Sequence, residues 1–352
     1  MTNTFGKDVC FYERTGSDLT QIFRPVSRDL QAVQQRLTAT LSNAQDPAVR
    51  EIIEFLLESP GKRIRPALVL LSAGAAGRKS NDPPEARRPS VDLAAAVEMI
   101  HMASLIHDDL IDGATVRHHR SSIHVAWGKR ISVAVGDYLC AHAFRLVADC
   151  TAPRLFAILG CQLCEMCEGE MQQVTDRGDF ALSERHCLAM MEKKTAALFR
   201  ACCGVGAATA GSRPEACQAL QEFGFQFGIA FQMLDDCRDL SADRGGLGKT
   251  PGQDLLAGDV TLPLLYTISY WGQNGEKSPP PWDRSVRSST GLARVRAAFH
   301  SSPAPARMAR LIASHVNRAR QALQSIADSD FKDSLRHLAD EVAVSASRIL
   351  AR

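Results

Sequence analysis

The sequence predicts an all-α protein. Most of its 352 residues lie in segments where apolar side chains recur at a helical period, runs of β-branched residues are few, and hairpin signals are scarce. Gly- and Pro-rich breaks cut the chain into about ten helices of ordinary length. With 45% hydrophobic residues the chain can fill a sizeable core.

Residues 1–17 are polar and read as a flexible segment, followed by a single all-α domain over 18–352. Leu30, Val33, Leu37 and Leu41 form the first stripe, which ends near Asp46-Pro47, and a second helix starts at Pro47. Further breaks fall at Ser59-Pro60-Gly61, the loop Gly77 to Pro89, Gly113, Pro153, Arg177-Gly178-Asp179, Gly211 to Pro214, and Asp243 to Pro263. Residues 272–291, with three consecutive prolines, read as a surface insertion. No internal repeat is convincing.

The net charge of +2 lacks the basic excess of a nucleic-acid binder. No uncharged apolar run reaches the length of a membrane span, and Met1 to Phe11 has no apolar signal core, so the expectation is a cytoplasmic protein. Eleven cysteines on helical patterns point to buried free thiols. Cys161, Cys164 and Cys167 are spaced three apart, but without a histidine or fourth cysteine beside them they suit core packing better than zinc.

Chemistry enters at two acidic helix ends. Val91 to Asp112 is almost wholly apolar before it finishes in Asp108-Asp109-x-x-Asp112, with Gly113 ready to stop the helix. Asp108 and Asp112 share a face that continues back through Ser104 and His101, while Asp109 sits to one side. Carboxylates this close, at the negative end of a helix dipole, call for a cation, and hard oxygen donors suit Mg²⁺ shared with substrate phosphates. The second end repeats the pattern as Asp235-Asp236-x-x-Asp239, and the series Phe223, Phe227, Phe231, Asp235, Asp239 reads as one stripe, apolar and then acidic. A greasy wall running into carboxylates fits a hydrocarbon tail with a charged head. A solvated acidic end is the plainer reading of a single such run, but both runs follow strongly apolar helices.

Basic groups complement the acids. Gly61-Lys62-Arg63-Ile64-Arg65-Pro66 puts three cations at a helix start, where backbone N–H groups also favour anions. Lys194-Thr195, and Lys249 in Gly248-Lys249-Thr250-Pro251-Gly252, are further phosphate candidates. Gly246 to Thr250 is no nucleotide-binding P-loop, because position 243 is Asp and a helix precedes it. His118-His119-Arg120 with His124 lacks metal-site spacing and reads as a loop or phosphate contact.

These motifs, in this order from about Leu30 onward, resemble those of the trans-polyprenyl diphosphate synthases, the head-to-tail enzymes that make farnesyl, geranylgeranyl and longer chains. The resemblance rests on Gly61 to Pro66, Glu98-Met99-Ile100-His101, His107 to Asp112, Gly136-Asp137-Tyr138-Leu139, Lys194-Thr195-Ala196, Phe231 to Asp236 and Gly248 to Leu255. It implies the isoprenoid synthase fold, a bundle of ten or more helices around a central cavity, usually homodimeric, with both aspartate motifs at its mouth. By position, Lys62, Arg65, His101 and His118 would bind isopentenyl diphosphate. Arg117, Lys194, Thr195, Gln232 and Lys249 would bind the allylic diphosphate, with Mg²⁺, three per active site, on Asp108, Asp112 and Asp235. Asp109, Asp236 and Asp239 would support that cluster.

The resemblance departs at one loop. The family reads Arg-Arg-Gly where this chain reads Arg117-His118-His119. An imidazole cannot form arginine's bidentate fork, so weaker binding of isopentenyl diphosphate, or substitution by His118 or Arg120, is expected. In the family a bulky aromatic four or five residues before the first aspartate stops growth early. Ala103 and Ser104 stand there, which implies a product of geranylgeranyl length or longer. A terpene cyclase on the same fold and a noncatalytic partner subunit are the rival readings. The cyclase would not need Lys62, Arg65 and His101, and the partner subunit would not need both acidic motifs.

Overall fold

The structure is a computed structural model that describes residues 19–58, 61–79, 81–117, 119–150, 152–241, 252–273 and 289–351. The segment 1–17, most of the insertion at 272–291, His118 and the 246–250 loop with Lys249 lie outside the described residues. The α-helices of five or more residues are α1 (Ser27–Leu41), α2 (Pro47–Leu57), α3 (Ile64–Ala75), α4 (Pro84–Asp112), α5 (Lys129–Asp149), α6 (Pro153–Thr175) and α7 (Glu184–Met191). They continue as α8 (Ala197–Thr209), α9 (Pro214–Ser241), α10 (Gln253–Ala257), α11 (Leu262–Gln273), α12 (Ser289–Ser301), α13 (Ala304–Ala322) and α14 (Asp330–Leu350). The all-α expectation holds. Among the described residues the sheet content is one antiparallel hairpin, pairing β1 (Val116–Arg117) with β2 (Arg120–Ser121) in the register Val116 to Ser121 and Arg117 to Arg120.

The chain divides into two compact units. The first holds residues 1–160, 201–221 and 323–337. Its centre is α4, packed against α1, α3 and α5. Leu68, Leu70, Leu71, Leu93 and Met99 are fully buried there, at roughly 1.5–3 kcal/mol for each such side chain. Gly74 lets Phe331 lie on α3, since a Cβ at position 74 would fall 2.3 Å from the ring. The expected loop to Pro89 is shorter than the prolines suggested, because α4 begins at Pro84 and carries Pro89 inside it. Pro84 stands in the first helical turn, where the absent N–H has no intrahelical partner to lose.

The second unit holds residues 161–200, 222–322 and 338–352. Here α11 packs on α7, α12 and α13. Phe199, Phe223 and Phe227 are fully buried, with Phe223 and Phe227 stacked at 5.9 Å between centroids.

Two expectations need correction. Cys187, Cys202, Cys203, Cys217 and Cys237 are buried as predicted, but Cys161, Cys164 and Cys167 lie exposed on α6. That apolar period therefore marks a surface helix, whose Phe156 and Met171 are exposed as well. The uncharged-run criterion also missed α4 and α5, which are long and apolar enough by composition to cross a membrane. The apolar window of α4 is 72% buried, whereas that of α5 is only 39% buried and leaves Ile131, Val133 and Phe144 exposed.

Candidate active site

The cationic loop of the first unit is built from the start of α3. Arg63, at its N-cap, takes a left-handed backbone with φ 54° and supplies no side-chain cap, so the first-turn N–H groups keep their attraction for an anion. The Arg63 guanidinium turns to α4 and α1, with Nη1 2.5 Å from Glu98 Oε1 and Nη2 donating to Gln34 Oε1 at 2.8 Å. Arg65 Nη1 lies 2.8 Å from His101 Nε2. Of the three cations read at this helix start, Arg63 is thus neutralised by a buried carboxylate.

The first acidic end sits where α4 stops. Gly113 takes φ 65° and its N–H donates to the Asp109 carbonyl, the predicted left-handed stop. Asp109 is buried, and Arg117 of β1 holds it with Nε 2.7 and 2.8 Å from the two carboxylate oxygens. Asp108 and Asp112 are half-buried. Behind them Ala103 is buried, and Ser104 Oγ donates to the His101 carbonyl at 2.9 Å. His107 lies against α5, where a Cβ on Gly136 would fall 2.1 Å from its Nε2, which explains the glycine of Gly136-Asp137-Tyr138. In the hairpin loop His119 takes φ 61°, a conformation glycine enters freely and histidine only with strain. Arg120 is committed elsewhere: it donates to the Phe55 carbonyl at 3.0 Å, pairs with Glu58 at 2.9 Å and stacks 3.9 Å above the Phe55 ring. Those bonds hold Arg120 on the end of α2.

In the second unit, residues Glu192–Ala196 form one turn of π-helix between α7 and α8. Such turns widen a helix and re-aim side chains, and they recur at functional sites. This one carries Lys194 and Thr195. Thr195 Oγ1 donates to Gln232 Oε1 at 3.0 Å, and Gln232 Nε2 donates to Asp236 Oδ1 at 2.7 Å, so the π turn is wired to the second acidic motif. Lys194 Nζ lies 2.5 Å from Glu170 of α6. The approach needs Gly169, because a Cβ there would stand 2.5 Å from the Lys194 amide nitrogen.

The second motif is not the continuous stripe expected. Asp235 is half-buried, but Asp239 is 2% exposed, and its carboxylate accepts from the backbone N–H groups of Gln253 and Asp254 at 3.3 and 3.2 Å. Asp239 therefore caps α10. Phe223 and Phe227 are core residues, and only Phe231 of the three is partly exposed. The reason is helix geometry: each four-residue step rotates about 40°, so a series drawn over four such steps winds about 160° around the axis.

Gln34, Gly169 and Glu170 escaped the reading of the sequence, and Glu98 was read there as part of a motif but given no role. Glu98 stands one turn before His101, and Glu170 follows a glycine on a helix, signals that gain meaning only once their partners are known. Among the described residues no three His, Cys, Asp or Glu side chains form a ready-made metal cage. That donor set still fits Mg²⁺, which binds through one or two carboxylates and completes its shell with waters and substrate phosphates.

The family model described as Polyprenyl synthetase matches residues 46–278. Heptaprenyl diphosphate synthase component 2 of Geobacillus stearothermophilus is 34% identical, over 95% of this chain and 96% of that one. Octaprenyl diphosphate synthase of Haemophilus influenzae is 34% identical, over 72% of this chain and 74% of that one. Among solved structures, a polyprenyl synthase from Caulobacter crescentus, complexed with calcium and isoprenyl diphosphate, superposes with a TM-score of 0.86. It is 32% identical, over 93% of this chain and 98% of that one.

Proposed function

The chain belongs to the polyprenyl synthetase family, and on that premise we propose that it is a head-to-tail trans-prenyltransferase that adds isopentenyl diphosphate to an allylic diphosphate. The observation that carries the reading is the hydrogen-bonded path from Thr195 through Gln232 to Asp236, which ties a phosphate-binding turn to an acidic motif.

Lys194, Thr195, Gln232 and Lys249 hold the allylic diphosphate, and Lys62, Arg65 and His101 hold that of isopentenyl diphosphate. Asp108, Asp112 and Asp235 would hold Mg²⁺, whose charge favours departure of the diphosphate. The allylic C–O bond breaks with its electron pair leaving on the diphosphate, and the π pair of isopentenyl diphosphate forms the new C–C bond. A proton then passes from the adjacent carbon to the released diphosphate, restoring a double bond. Cations around the leaving group stabilise its growing charge, and apolar walls keep water from the carbocation. Arg117 serves the same diphosphate through Asp109, whose orientation it fixes.

Small residues at 103 and 104 and the heptaprenyl and octaprenyl synthases among the relatives support a product of geranylgeranyl length or longer. The exposed apolar side chains of α5, Ile131, Val133 and Phe144, support a homodimer that covers them. The word component in one relative's name favours a second reading of the assembly, with an unlike chain as partner. Activity of the purified chain alone, with its mass by light scattering, separates the two. The function itself is tested by incubating labelled isopentenyl diphosphate with a primer and Mg²⁺. Incorporation that needs both primer and metal is expected, and no incorporation with any allylic primer from dimethylallyl to geranylgeranyl diphosphate overturns the reading.

A further inference from the structure

The cationic loop and α4 are joined by two parallel rungs. Arg63 meets Glu98 at 2.5 Å and Arg65 meets His101 at 2.8 Å, and Glu98 and His101 lie one helical turn apart on the same face of α4. The two rungs differ in kind. The first is an ion pair with side chains 14% and 5% exposed, anchored further by Gln34 of α1, and it forms on a non-glycine residue held at φ 54°. The second joins two groups assigned to the isopentenyl diphosphate.

We propose that Arg63 and Glu98 are positioning residues for isopentenyl diphosphate: their ion pair pins the left-handed turn of the loop, and so sets the register in which Arg65 meets His101 and Lys62 precedes them. This rests on the function proposed above. A left-handed arginine is strained, and the conformation persists only where its surroundings fix it. Glu98 and Gln34 do so from two different helices. Loss of the Glu98 charge leaves a guanidinium inside the protein without its counter-ion, and the loop then yields to an extended backbone. Arg65 follows Arg63 by two residues and moves with it, away from His101 on α4. The allylic side is served by other segments, so its affinity is untouched.

Isopentenyl diphosphate without primer is titrated calorimetrically into the wild type, Glu98→Gln and Arg63→Gly, and steady-state kinetics follow with each substrate varied. Glycine populates φ 54° and extended backbone alike, so R63G removes the clamp and releases the turn without adding backbone strain. The expected result is a loss of isopentenyl diphosphate affinity of about tenfold or more in both variants, with KM for that substrate rising in step and KM for the primer constant. Unchanged isopentenyl diphosphate affinity in both variants overturns the inference alone. So does an equal rise in both KM values, which marks a merely structural pair. A wild type that does not bind isopentenyl diphosphate overturns the inference and the proposed function together.

Discussion

Arg117 holds Asp109 through two nitrogens, with Nε 2.7 and 2.8 Å from the two carboxylate oxygens and Nη2 2.6 Å from Oδ1. The middle aspartate of the first motif is therefore locked to the hairpin that follows it. Arg117→Lys keeps the charge and loses the planar fork, and kcat/KM should fall on the order of 10- to 100-fold. Asp109→Asn should cost a similar factor, and the double variant little more than either single one, because both remove the same interaction. A double-mutant cycle on kcat/KM measures this, and additive losses would show that the two residues act separately.

Gln232 bonds Thr195 on one side and Asp236 on the other. Gln232→Leu preserves volume and severs both bonds. The expected result is a rise in KM for the allylic primer and a fall in kcat, each on the order of tenfold, with KM for isopentenyl diphosphate nearly constant. Initial rates with each substrate varied in turn provide the check.

Gly169 and Gly160 lie on the same helix in different surroundings. A Cβ at 169 would meet the Lys194 backbone at 2.5 Å, whereas at 160 it would meet nothing within 4 Å. Gly169→Ala should destabilise by about 1–3 kcal/mol and weaken primer binding, since the π turn must shift. Gly160→Ala should stabilise by about 0.5–1 kcal/mol through helix propensity. Thermal melts of the two variants decide it.

Much of this could be read before any coordinates. The helix stop at Gly113 followed from an apolar run ending in acids, and the buried face of α4 followed from its composition. The pairing of Thr195 with Gln232 could not be read, because 37 residues separate them and a π turn shifts the helical register between. The Phe223 to Asp239 stripe failed for a different reason: a four-residue repeat drifts around the helix, so its ends face different neighbours. Residue type revealed the charge of Arg63, but only its φ of 54° and its contact with Glu98 showed that the charge is spent inside the protein.

His315 makes stability depend on pH. It is 8% exposed and its ring lies 2.7 Å from Gln226 Oε1, which a neutral Nδ1–H bonds as donor. Burial, with the nearby Arg318 charge, pushes its pKa from 6.5 down to about 4. The folded state then binds fewer protons than the unfolded chain between those values. Its contribution is complete above pH 6.5 and is lost as pH falls towards 4. On the order of 2 kcal/mol is involved, less than the full shift would give because solvent reaches part of the ring. Urea unfolding from pH 7 to 4 should show this decline, and His315→Asn should flatten it.

The central claim is tested most directly by the products formed from labelled isopentenyl diphosphate, a dimethylallyl or geranyl primer and Mg²⁺, resolved by chain length. The account predicts linear polyprenyl diphosphates of geranylgeranyl length or longer, and their loss on chelation of the metal. A fifteen-carbon product alone, a cyclised hydrocarbon made without isopentenyl diphosphate, or no consumption of that substrate would contradict it.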